Sequence, residues 1–116
     1  MHVGLYHHQR LPIRGYGGTE RVVVWLARGL MELGHRVTLL AAPGSDGAGA
    51  AIVPVDPREL ARHGYDLTAW LPADLDVLHA HTPLRTAPAC PHFVTIHGNA
   101  RSDRRFPAGY IFTAAL

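Results

Sequence analysis

The chain opens with a short apolar run over residues 2–7 that ends at His7-His8 and reads as a strand. A loop carrying Pro12 and Gly15 follows, and the pair Gly17-Gly18 then opens the most strongly patterned segment. From Thr19 to Leu33, apolar side chains at Val22, Leu26, Leu30 and Leu33 recur every three or four residues, the spacing of one helix face. Val23, Ala27 and Met31 widen that face, as expected of a helix lying on a sheet. Thr19 suits the N-cap, Glu20 complements the partial positive charge of a helix start, and Gly34 suits the terminator. Trp25 and Trp70 fall in helical stretches, where core packing is the expected fate.

Arg36 to Ala42 is rich in Val and Leu and continuous rather than alternating, which suits a parallel strand covered on both faces. Residues 43–47 read as a loop, and Ala51 to Val55 as a short third strand. Asp56-Pro57 predicts a helix start, with Asp as cap and Pro at the first position. The helical stretch Pro57 to Leu71 is expected to break near Gly64-Tyr65. Asp76 to Ala80, His92 to His97 and Tyr110 to Thr113 read as three further strands. Strands interleaved with helices define an α/β, Rossmann-like domain whose sheet is mostly parallel and flanked by helices.

The 116 residues suffice for one core and not for two. An apolar share of 47% against 17% charged argues against disorder. The longest apolar stretches, Val22 to Ala27 and Val37 to Ala42, fall far short of the roughly 18 residues of a membrane span. The start lacks the basic flank and cleavage site of a secretory signal, and one cysteine forms no internal disulfide, so a cytoplasmic protein is expected. Cys90 has no acid or base beside it and reads as a small packed residue.

Charge changes the picture little. The formal net charge is only +2, and the pI still reaches about 9.1 because the charged basic side chains are all arginines, whose high pKa lifts it with little excess charge. The cluster Arg101, Arg104 and Arg105 is broken by Asp103 and reads as a solvated loop. Nucleic-acid binding would need a basic stripe or a recognisable module, and neither is present. His35, His63 and His92 lie at turns or element ends and are expected to be solvated. The last residues, 111–116, are apolar with no polar tail, which predicts a truncated domain.

In open parallel sheets, ligands bind beyond the carboxyl ends of the strands. Three segments converge there: residues 15–20, His79-Ala80-His81-Thr82, and Thr95-Ile96-His97-Gly98-Asn99. Glycines before a helix let backbone N–H groups approach a phosphate. A dinucleotide fingerprint fails, since Glu20 fills its third glycine position and strand two ends without an acid for the ribose. A lysine-bearing phosphate loop fails because the chain has no lysine. His79 and His81 share a strand face, and His97 would complete a zinc triad. No cysteine or carboxylate joins them, so hydrogen bonding within the sheet top is the preferred reading.

Taken together, these segments resemble the amino-terminal domain of family 4 glycosyltransferases, which have the GT-B architecture. The resemblance rests on residues 16–23, Tyr16-Gly17-Gly18-Thr19-Glu20-Arg21-Val22-Val23, then Leu26-Ala27 and residues 33–39. Residues 76–83 and 94–98 match two further blocks in the expected order. The resemblance spans about residues 2–99, and it implies the acceptor-side half of a retaining enzyme that uses a nucleotide-sugar and no obligatory metal or other cofactor.

Carried over by position, Gly17 and Gly18 would contact the donor phosphate or sugar, and His97 would sit against the transferred sugar as the catalytic residue. Glu20 and His81 would contact the acceptor, or Glu20 would favour the helix start. The implied partners are a nucleotide-sugar donor, a sugar or lipid-linked acceptor, and a missing carboxyl-terminal donor-binding domain, without which the chain should be inactive. Its arginines at 101, 104 and 105 would favour a peripheral place on an anionic membrane, and a bare sheet edge would favour a homodimer. The span Pro83 to Pro91 is too short for the usual helix, leaving one sheet face less covered. The alternative is a non-catalytic sugar- or nucleotide-binding domain of the same fold, working with a partner chain. A flavodoxin-like regulator would need an acidic cluster or a flavin-stacking loop, and neither is present.

Overall fold

Five short strands, all parallel, form the frame: β1 (His2–Tyr6), β2 (Arg36–Ala41), β3 (Ala51–Pro54), β4 (Val77–Ala80) and β5 (His92–Val94). The computed structural model describes residues 1–11 and 18–95. The strand order is β3-β2-β1-β4-β5, so the chain reverses its direction of travel across the sheet between β1 and β4. The final strand expected at Tyr110 to Thr113, and the end of the fifth at Ile96-His97, lie outside the described residues.

The central strands are buried throughout, as their unbroken apolar runs demand: all five residues of β1, and Val37 to Ala41 of β2. Alternation along the strands divides the core into two layers. Val3, Leu5, Val37, Leu39 and Ala41 face α1 (Gly18–Glu32). Tyr6, Leu40, Leu78 and Ala80 face the opposite layer, made by α2 (Pro57–Arg62), a 3₁₀ turn over Leu67–Trp70, and the β4–β5 connection. Burial of each such leucine is worth about 1.5–3 kcal/mol against leaving it in water.

Helix α1 starts one residue earlier than its pattern predicts, so Thr19 lies within the first turn rather than at the cap. The buried stripe is Val23, Val24 and Ala27, with Leu26, Leu30 and Met31 partly covered. Val22 and Leu33, expected on the core face, are exposed, and Trp25 is 63% exposed rather than packed. Val23 and Ala27, four residues apart, seat this face on the sheet, so Val22 and Trp25 turn toward solvent. Leu33 follows the last helical residue, and Gly34 then turns the chain at φ +88°, a conformation that favours glycine.

Asp56 caps α2 as its sequence demands, accepting from the Arg58 and Glu59 N–H groups, with Pro57 at the first position. The helix stops before Gly64-Tyr65, the predicted break. Between β4 and β5 no helix forms, and Leu84 and Cys90 pack directly against the second layer. Burial pushes the Cys90 thiol pKa up, in keeping with its packed role.

At the amino-terminal edge of the sheet, buried His2 joins three segments. Its Nε2 lies 2.7 Å from Thr38 Oγ1 and its Nδ1 lies 3.1 Å from Asp74, while its backbone N–H donates to Asp76 at 2.6 Å. Arg36 pairs with the same Asp74 carboxylate. Burial pushes the Asp74 carboxyl up, but the Arg36 guanidinium, a backbone hydrogen bond and His2 together outweigh it and hold the group below its ordinary value.

Candidate functional site

The opposite, carboxyl-terminal edge is where ligands bind in sheets of this order, at the point where the strand order reverses. Backbone bonds carry the ladder just past the strands: the His7 N–H donates to the Leu40 carbonyl at 3.0 Å, and His81 donates to Tyr6 at 2.8 Å. Thr95 in turn donates to Ala80 at 2.9 Å. His7, His81 and Thr95 therefore stand side by side on three adjacent strands.

Four imidazoles gather along this edge. The His79 and His81 rings lie 4.0 Å apart, and His79 also stacks on Phe93 at 4.0 Å. His79 Nε2 meets Thr95 Oγ1 at 2.6 Å, which ties His79 into the sheet top as expected. The His7 and His8 rings stack at 4.8 Å, and His8 Nδ1 meets buried Thr82 Oγ1 at 2.8 Å. His7 Nδ1 accepts the Gln9 N–H at 3.1 Å. Among the described residues, no three His, Cys, Asp or Glu side chains converge as a metal set.

The expected site residues fall unevenly on this edge. His81 is buried at the end of β4, and Gly18 opens α1. Glu20 lies in the first turn of that helix. Gly17 and His97 lie outside the described residues. His92, expected to be solvated, is buried instead, with Nδ1 on the Cys90 carbonyl at 2.8 Å, because the short β4–β5 connection folds over it.

A cavity of about 290 Å³ opens beside His8 and Thr82, on the layer opposite α1. Its walls are the buried side chains Val55, Leu60, Leu67 and Leu84, and its mouth carries Tyr65 and Arg85. Tyr65 stands at φ +62°, directly after Gly64 at φ +65°. For a bulky side chain that conformation costs of order 1–2 kcal/mol, and such strain tends to gather at working sites. The surroundings hold it: Arg85 sits 4.4 Å above the Tyr65 ring, and Thr86 donates to the Gly64 carbonyl. The Ala89 N–H closes the same seam on Thr68 Oγ1 at 2.9 Å. Periodicity does not reveal this cavity, since its walls come from four separate segments. The sole local signal is the pair Gly64-Tyr65, which reads only as a helix break.

An all-parallel α/β sheet with a crowded carboxyl-terminal edge defines a Rossmann-like domain of the kind that forms half of a GT-B enzyme. The chain belongs to glycosyltransferase family 4, whose model matches residues 16–115. Neither the curated proteins nor the solved structures provide a match. The match covers the start of α1, His79 to Thr82 and Thr95, and no helix among the described residues is long and apolar enough to cross a membrane.

Proposed function

We propose that this chain is the amino-terminal, acceptor-side domain of a retaining glycosyltransferase that moves a sugar from a nucleotide-sugar to an acceptor hydroxyl. The observation that carries the reading is the family match over residues 16–115, laid on a sheet whose ligand edge bears the glycine-opened helix and the histidine cluster. Gly17 and Gly18 admit backbone N–H groups to the donor phosphates, and His97 donates a hydrogen bond to the transferred sugar. His81, and Glu20 across the helix start, face the acceptor. Such donors gain rate by stabilising negative charge on the departing diphosphate, the largest single contribution that fixed dipoles make to catalysis. A second domain supplies the remaining grip on the nucleotide.

The test is sugar transfer by the native polypeptide from a panel of nucleotide-sugars. Transfer with retained anomeric configuration is expected, together with a His97→Ala loss in kcat of about 10²-fold or more. The same assay on the 116 residues alone should show no turnover. Robust transfer by that short chain, or unchanged kcat in His97→Ala, would overturn the assignment.

A further inference from the structure

The cavity beside His8 has the build of a ligand site rather than of a packing defect. Its floor is apolar and its walls are buried: Val55, Leu60, Leu67 and Leu84. At about 290 Å³ it lies at the lower bound of small-molecule pockets, room for one ring or a short chain and not for a sugar oligomer. A carbohydrate would leave its hydroxyls without partners against those four side chains, an unfavourable match.

The mouth is different in chemistry. Arg85 is exposed, stacked on Tyr65, and pairs with no carboxylate among the described residues. Tyr65 stands in a left-handed conformation with its N–H on the Leu60 carbonyl at 2.8 Å and its ring beneath Arg85, while the 84–90 connection is bonded to Gly64 and Thr68 on either side of it. His8 and Thr82 line the side that continues onto the carboxyl-terminal edge. An apolar floor, a cation at the rim and continuity with the reaction edge together describe one ligand shape.

We propose that this cavity receives the non-sugar part of the acceptor: an apolar ring or short alkyl group that bears an anionic substituent opposite Arg85. The acceptor role rests on the reading of the chain as an acceptor-side domain, whereas the cavity's preference for an apolar anion rests on its own geometry. The reacting hydroxyl then lies toward His8 and Thr82. Specificity is thus divided, with the apolar group selected by Leu60 and Leu84 and the charge by Arg85.

The test measures binding of 4-phenylbutyrate and of the matched alcohol, 4-phenylbutanol, to the full chain by calorimetry or NMR titration. Both probes should bind, the acid up to about fivefold more tightly, the upper end of what an exposed ion pair supplies. Arg85→Gln should remove that preference and leave the alcohol unaffected. Leu60→Trp, which fills the cavity, should abolish both. Absence of binding by the unaltered chain, or undiminished binding by a folded Leu60→Trp protein, overturns the cavity assignment. Equal affinities for acid and alcohol overturn the role of Arg85. Since Arg85 is a surface residue, that variant decides the charge preference even if Leu60→Trp fails to fold. None of these readouts uses a sugar donor, so failure here leaves the transferase reading standing, and failure of transfer leaves the cavity standing.

Discussion

Removing one oxygen beneath the sheet tests how firmly its central strand is held. Thr38→Val preserves shape in a buried strand but strands His2 Nε2, whose hydrogen bond to Thr38 is 2.7 Å long. A buried polar atom left unsatisfied costs about 1–3 kcal/mol, so the free energy of unfolding from a denaturant titration should fall by that amount. A loss under about 0.5 kcal/mol, the size of an ordinary surface change, would mean that water reaches His2. The identity of His2's partners is invisible in sequence, because Thr38 and Asp74 lie 36 and 72 residues away. His81 shows the opposite case. Its place at a strand end followed from local pattern alone, and the structure sets it beside His79, as two positions on one strand face require.

At the scale of elements, α1 carries the sharpest contrast between buried and exposed positions. Ala27→Leu pushes extra carbons between helix and sheet and should destabilise by about 1–3 kcal/mol. Trp25→Ala, on the exposed side, should stay within about 0.5 kcal/mol, and loss of its fluorescence should remove the component most accessible to iodide. Reversal of those two effects in urea titrations would mean that the helix sits the other way round. The pattern of the sequence was enough to predict this helix, the caps at Asp56 and Gly34, and the five strands β1 to β5, since each depends on neighbours within a few residues. It was not enough to rotate α1. Val22, Val23, Leu26 and Ala27 are all apolar, and only the sheet decides which of them faces inward. The cavity was illegible for a related reason: Val55, Leu60, Leu67 and Leu84 come together only through the crossover from β3 to β4 and the connection that follows.

For the molecule as a whole, the clamp at the amino-terminal edge contributes one carboxyl to the dependence of stability on pH. Asp74 is held below its ordinary value, so the folded chain releases this proton more readily than the unfolded one. Its contribution is present above the unfolded value, near pH 4, and is lost as pH falls through the lower folded value. Asp74→Asn should therefore lower stability at neutral pH and flatten the acid limb of a stability profile between pH 7 and pH 2. An unchanged limb would mean that other carboxylates govern acid unfolding.

The strand order carries a consequence for how the protein is made. Strand β1 lies in the middle of the sheet, yet it is translated first, and 74 residues separate His2 from its partner Asp76. At roughly 5–20 residues per second on a ribosome, one side of β1 waits several seconds for β4 to emerge. Until then an apolar strand has an open edge, the state in which nascent chains need shielding. The β1-α1-β2 unit can form early, because α1 joins the two parallel strands directly. Completion of the sheet must follow the synthesis of residue 94, the end of β5.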